Sequence, residues 1–444
     1  MIDISPEAVT LLLLFGILLG VMTGYHLALV IGGVALLVGY LAFGPTVIHI
    51  LYYRVYDNIT NYTLLAVPLF IFMGIMLERS GIAERLYDAL YLWLGGLNGG
   101  LALTTLVIGT VMAACVGIIG ASVTMLAVVG LPAMIKRGYN KSIATGSVCA
   151  GGTLGILIPP SIMLVVYGPM ALISVGKLFM AAFVPGFLLS ALYCLYVFIR
   201  CQIQKNLGPA IPASERQVPF AQKTWKLATS LLPAGLLIMS VLGVIFLGIA
   251  PPTEAAAIGA LVATLLALAY GKLNWQVLKQ TAHETFKLTS AVLLIAAASF
   301  AFTGVFLNSG GGTVVKEFIL ATPGGRWGAF AIIMFVCFIL GMFIDWMGII
   351  FITVPIVTPV APVLGFDPLW FAMMIVVNLQ MSFMTPPFAY AIFFTRAAAP
   401  PELGVTTDDI IRGVLPFVGL IVLALGLCVA FPQIILWLPS KMIA

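Results

Sequence analysis

Runs of about 20 apolar residues follow one another along this chain, each long enough to cross the hydrocarbon core of a bilayer. Clear examples are 11–41 (two spans around Gly24), 101–115, 184–199, 231–247, 255–269, 330–343 and 414–431. The runs are solid rather than alternating, which excludes a β-barrel. In lipid the backbone must then satisfy itself within helices. Hydrophobic residues make up 62% of the chain and charged ones 8%, against about 25% charged in soluble domains. The expected fold is an all-α polytopic membrane protein with ten to twelve crossings.

The first apolar segment begins after Asp3 and Glu7 without a basic leader, so it reads as an anchor. Six cysteines show no paired spacing and read as small apolar residues. A net charge of +5 belongs to cytoplasmic loops and gives no reason to expect a nucleic-acid partner.

Two Pro-Pro pairs, Pro159-Pro160 and Pro386-Pro387, lie 227 positions apart, each closing a small, polar Gly/Ser/Thr run. A helix cannot run unbroken through such a pair, because each proline removes a donor and clashes with the preceding turn. At the same offset Pro6/Pro233, Pro132/Pro359 and Pro212/Pro439 also align, with five glycine pairs including Gly44/Gly271 and Gly138/Gly365. Matched helix breaks in two halves of a membrane protein point to an ion and substrate site.

Charge orients the halves. Lys136, Arg137 and Lys141 follow Pro132, whereas the counterpart around Gly365 has no basic residue. Conversely Lys272, Lys279 and Lys287 follow Gly271, while the loop after Gly44 holds only Arg54, balanced by Asp57. Basic loops mark the cytoplasm, so the swap predicts inverted repeats over 1–200 and 227–444, joined by a basic cytoplasmic linker, 201–226. Each repeat has two spans, an amphipathic connector (49–62 and 274–287), further spans, a doubled-back segment and a broken helix.

The doubled-back segments are 117–131 and 345–362. They suit re-entrant helical hairpins whose tips expose carbonyls, tolerated at membrane depth only where protein or a watery cavity meets them. A tip facing a broken helix makes an all-oxygen cage for a small hard cation such as Na⁺, and half-helix N-termini favour an anionic substrate group. Ser122, Thr153, Ser382 and Thr385 sit where the backbone breaks. Asp345, a carboxylate among Phe343, Ile344 and Trp346, is the strongest single candidate; the alternative is a wet helix end. Glu254 is a coupling-ion ligand or an early-turn acid behind Thr253 as N-cap. Arg396 pairs with a carboxylate substrate or lies at the membrane surface. His26, His49 and His283 lack metal-ligand spacing and read as structural, and no transition metal is expected. There is no Walker lysine motif, Gly-x-Ser-x-Gly or His-Glu-x-x-His. An enzyme is not expected, and energy must come from an ion gradient or a partner.

The runs Gly117-Ile118-Ile119-Gly120-Ala121-Ser122, Leu131-Pro132-Ala133-Met134-Ile135-Lys136-Arg137-Gly138-Tyr139 and Gly152-Thr153-Leu154-Gly155-Ile156-Leu157-Ile158-Pro159-Pro160-Ser161 carry a resemblance. So do Leu65-Ala66-Val67-Pro68-Leu69-Phe70, Pro252-Thr253-Glu254-Ala255, Gly341-Met342-Phe343-Ile344-Asp345 and Thr385-Pro386-Pro387-Phe388. Together they span almost the whole chain, which resembles the large membrane subunit of tripartite ATP-independent periplasmic (TRAP) transporters. The resemblance implies a Na⁺-driven, elevator-type carrier in the bacterial inner membrane. It implies as partners a small four-helix membrane subunit and a periplasmic binding protein that delivers an organic carboxylate. It implies one Na⁺ site from Gly117, Ile118, Ser122, Gly155, Ile158 and Pro159, and another from Asp345, Gly348, Ser382 and Thr385. Thr153, Asn378 and Arg396 are the candidate substrate contacts. The sialic-acid branch is serine-rich at the first tip, whereas this tip reads Gly-Ile-Ile-Gly-Ala-Ser; that favours 2-oxo acids, aromatic acids or other small carboxylates. The rival readings are a divalent-anion/Na⁺ symporter that needs no binding protein, and an ion channel.

Overall fold

The computed structural model describes residues 4–212, 218–387 and 389–442. Phe388 and part of the expected linker lie outside the described residues. Among these the secondary structure is helical throughout, with no strand. Among the described residues seven helices are long and apolar enough to cross a membrane by themselves. The count falls below ten to twelve because several apolar runs are helices of 10–17 residues that double back or break.

The element order recurs at the offset of 227. Leu27–Phe43 answers to Pro252–Ala269, Ile82–Leu94 to Gly311–Leu320, Gly100–Val116 to Gly325–Gly341, and Lys141–Thr153 to Pro368–Ser382. The turns agree as well: Gly44 and Gly271 have φ +61° and +66°, and Gly138 and Gly365 have +78° and +74°. That left-handed region is costly for residues with a Cβ. Both Pro-Pro bonds are cis.

The connectors differ between halves. In the first, Val47–Ile59 is a separate helix exposing Tyr52, Tyr53 and Tyr56. It ends at Thr60, and Asn61 caps the next turn by accepting from the Thr63 N–H at 3.0 Å. In the second, the connector is the opening of one unbroken helix, Trp275–Asn308, capped by Asn274.

Two bodies result. A frame forms from Pro6–Met22, Leu27–Phe43, Val47–Ile59, Ala66–Arg79, Phe220–Ile238, Pro252–Ala269 and Trp275–Asn308, packed on one another. A core forms from the doubled-back and broken segments with Val175–Ile203 and Thr407–Ala430. The helices flanking the expected linker run into it, to Ile203 and from Phe220. Its described part docks on the core, where Gly99 and Asn140 N–H groups donate to the Gly208 and Leu207 carbonyls at 2.7 and 2.9 Å.

The doubled-back segments are longer than expected. Gly100–Val116 and Ile119–Ile135 form the two arms of hairpin 1, with the tip at Gly117-Ile118. Gly325–Gly341 and Trp346–Val357 form hairpin 2, with the tip at 342–345. The runs 101–115 and 330–343, read as spans, are thus incoming arms. A 17-residue helix covers roughly 26 Å at 1.5 Å per residue, slightly short of a crossing.

Candidate functional site: two hairpin tips and two broken helices

The first broken helix runs from Lys141–Thr153 through the turn Leu154–Ile156 and the cis Pro159-Pro160 bond to Ile162–Ala171. Its opening half is wedged between the arms of hairpin 1. A Cβ on Gly109 would lie 2.7 Å from the Gly151 carbonyl oxygen, and one on Gly152 would lie 2.8 Å from Val123 Cα. Backbone meets backbone there, so only residues without a Cβ at 109 and 152 let the arms of hairpin 1 come this close to the broken helix.

At the tip Gly117 turns with φ +67°, and a Cβ on it would lie 3.1 Å from the Pro160 carbonyl oxygen. A Cβ on Gly155 would lie 3.2 Å from Ser122 Oγ and 3.7 Å from the Ile118 carbonyl oxygen. The Ser122 hydroxyl is buried and has no hydrogen-bond partner. An orphaned buried hydroxyl costs about 1–3 kcal/mol, and Ser122 Oγ is left available to a ligand. Ile118, Ser122 and Gly155 therefore converge on one small space, while Gly117 packs against Pro160 beside it. Ile158 contributes only backbone to that space, because its side chain faces Gly186. Pro159 is buried beside it.

The second break is built with its polar groups exchanged. Ser122 and Gly155 correspond by repeat to Ile349 and Ser382, so the hydroxyl moves from hairpin to broken helix. Ser382 Oγ donates to the Phe338 carbonyl at 3.2 Å, and Gly341 lies so close that a Cβ would be 2.5 Å from that oxygen. Thr385 Oγ1 donates to the Met381 carbonyl at 2.8 Å. Asn378 Nδ2 donates to Met334 O at 2.8 Å, tying the broken helix to the incoming arm. Asp345 stands at the N-terminus of the outgoing arm. Gly348 packs on the frame, where a Cβ would lie 2.4 Å from Leu27 Cδ2.

Both tips meet at a single cavity of about 510 Å³. Ile118–Ala121 of hairpin 1 and Asp345-Trp346 of hairpin 2 line one side with Tyr390 and Phe394 of the second broken helix. Glu78, Glu284 and Lys287 of the frame line the other. The far half of each broken helix packs on the outgoing arm of the other hairpin, which interlocks the repeats at this point.

Other residues singled out from the sequence lie elsewhere. Thr153 Oγ1 donates to its own helix at Ala150 O, 3.1 Å. Arg396 is exposed and donates to the Val405 carbonyl at 3.0 Å, so it does not line the cavity. Glu254 accepts from the Tyr62 hydroxyl at 2.8 Å. The cap before it is Pro251 rather than Thr253, since the helix already begins at Pro252. His26 caps Leu27–Phe43, as a structural histidine does.

Gln380 is a further polar residue of the second broken helix that no sequence motif singles out. It is fully buried, and neither its Oε1 nor its Nε2 has a partner. It is the repeat counterpart of Thr153, so the offset of 227 could have found it.

A family model described as the DctM component of the tripartite ATP-independent periplasmic transporter matches residues 10–434. The C4-dicarboxylate TRAP transporter large permease protein DctM of Pseudomonas aeruginosa is 32% identical over 402 residues, covering 90% of this chain and 91% of that one. The sialic acid TRAP transporter large permease protein SiaM of Vibrio cholerae is 28% identical, covering 86% and 87%. In fold the chain resembles the crystal structure of the Alcanivorax borkumensis YdaH transporter, with TM-score 0.62, 16% identity and coverage of 96% and 99%. Hairpins, broken helices and family match together place this chain in the DctM family, the large membrane permeases of TRAP transporters.

Proposed function

We propose that this permease imports a small organic carboxylate across the bacterial inner membrane, driven by Na⁺ moving inward, with an elevator movement of the core against the frame. As a family member it is an inner-membrane transporter and not an enzyme, and it works with a small membrane subunit and a periplasmic binding protein. The observation that carries the reading is the single cavity into which both hairpin tips project. A C4-dicarboxylate is the first substrate to test, because the Pseudomonas aeruginosa relative at 32% identity is a C4-dicarboxylate permease.

Na⁺ seeks hard oxygen ligands. The orphaned Ser122 hydroxyl and the carbonyls beside Gly117 and Gly155 suit it at the first tip. Asp345, Ser382 and Thr385 supply the oxygens of the second, where the hydroxyl protons point to carbonyls and leave lone pairs free. The division into inverted repeats, 1–200 and 227–444, puts Lys136, Lys141 and Lys272 on the cytoplasmic side. The cavity's frame wall is tied to that side, since Arg79 pairs with Glu284 at 2.6 Å two residues before Gly81, whose Cβ would lie 3.6 Å from Lys272 Cε; this supports reading the conformation as inward-facing.

Uptake into proteoliposomes containing the small subunit, with binding protein outside and a panel of carboxylates, tests the proposal under imposed Na⁺ or H⁺ gradients. Carboxylate accumulation that needs both binding protein and a Na⁺ gradient is expected. Uptake intact without Na⁺ overturns the coupling ion, uptake intact without binding protein favours the self-sufficient symporter, and conductance without saturable uptake favours a channel.

A further inference from the structure

The frame wall of the cavity carries an asymmetry between the two halves. Lys287 is the only basic residue lining the cavity among the described residues. It forms no ion pair or hydrogen bond there, whereas Arg79 beside it is committed to Glu284 at 2.6 Å. It is also the last charge on its helix before an uncharged stretch from Leu288 to Asn308. Its counterpart by repeat is Thr60, whose hydroxyl donates to its own helix at Tyr56 O, 2.9 Å.

Lys287 faces a lining otherwise charged by Glu78, Glu284 and Asp345. With Glu284 neutralised by Arg79, an entering anion still meets two carboxylates and one free ammonium. A cleft focuses such charges, so one unpaired lysine changes the local concentration of an anion substantially. Lys287 belongs to the frame and not to the core. A substrate held at the tips therefore meets it only while the tips stand at this end of the frame.

We infer that Lys287 is a one-sided anion contact, holding the substrate carboxylate on the face where this cavity opens and having no equivalent on the opposite face. The inference rests on the carboxylate reading above and adds to it a sidedness that the repeat alone denies.

The test uses Lys287→Gln and Lys287→Arg in vesicles containing the small subunit. Binding protein added outside selects permeases whose binding-protein face points outward. Exchange of labelled succinate is followed while its concentration is varied inside or outside. In Lys287→Gln the half-saturating concentration rises about fivefold inside, as loss of one partly screened charge contact predicts, and stays unchanged outside. Lys287→Arg restores the wild-type value. Equal shifts on both sides, no shift, or failure of arginine to restore it overturns the inference while leaving carboxylate transport standing. Wild-type vesicles that exchange neither succinate nor any other carboxylate overturn the transport reading and this inference with it.

Discussion

The first cage makes a quantitative prediction through Gly155→Ala. The new methyl would lie 3.2 Å from Ser122 Oγ, 3.7 Å from Ile118 O and 3.8 Å from Ile118 N, with no other heavy atom among its three nearest neighbours. None of these contacts is below 3.0 Å, and the closest is to a hydroxyl with no partner to lose. Gly155 has no positive φ, so alanine adds no backbone strain and lowers the entropy of the unfolded chain. Stability without Na⁺ should therefore stay within about 1 kcal/mol of wild type. The methyl nevertheless stands between the oxygens that would surround the ion. Loss of one effective ligand should weaken Na⁺ binding at least tenfold, equivalent to about 1.4 kcal/mol. Thermal unfolding in nanodiscs, titrated with NaCl against choline chloride, reads this directly, since a ligand stabilises by RT ln(1 + [L]/Kd). The expected result is an unchanged baseline with a Na⁺ midpoint moved to higher concentration. A wild-type midpoint would refute the cage, and a collapsed baseline would show that Gly155 is there for packing instead.

Three further substitutions address the rest of the site. Asp345→Asn should leave the protein inserted and folded while abolishing Na⁺-driven uptake, and near-normal uptake in vesicles would remove Asp345 from the second cage. Gln380→Met keeps the shape of a buried side chain and deletes two unpartnered polar atoms; it should raise stability in the absence of substrate and Na⁺ by about 1–3 kcal/mol and still reduce transport, and unchanged transport would show that Gln380 serves no ligand. Gly74→Ala places a methyl 2.5 Å from the Val116 carbonyl oxygen, where the frame touches the first tip; it should slow turnover tenfold or more (about 1.4 kcal/mol on the barrier) with Na⁺ binding retained, and a wild-type rate would show that this contact does not govern movement.

Much of this was legible because the constraints were chemical and repeated. Pro159-Pro160 and Pro386-Pro387 break helices wherever they occur, and the offset between them located both broken helices and the turns at Gly44 and Gly271. Asp345 stood out because a carboxylate in an apolar run is expensive, and the cavity wall holds it. Hairpin length was less legible. Hydropathy cannot distinguish a 17-residue arm from a span, since 100–116 is more apolar than the crossing helix Pro252–Ala269. Nor does the chain reveal which way a small residue faces. Gly348 is named in the sequence for its carbonyl, and only the structure adds that its missing side chain lets Leu27 approach. Gln380 was missed for another reason: a lone amide in a buried helix becomes conspicuous only once its partners are seen to be absent.

The unequal connectors also have a mechanical consequence. At 1.5 Å per residue the 34-residue helix from Trp275 to Asn308 is roughly 51 Å long, well beyond a 30 Å hydrocarbon core. Its uninterrupted ladder makes it a rigid strut through one leaflet and into the other. The matching stretch of the first half is jointed at Thr60-Asn61. Bilayer thinning or curvature at the jointed end can be absorbed by a change in angle between two short rods. The same deformation at the strut end must tilt the whole rod, and with it the wall that carries Glu284 and Lys287. The permease should accordingly sense the thickness of one leaflet far more than that of the other.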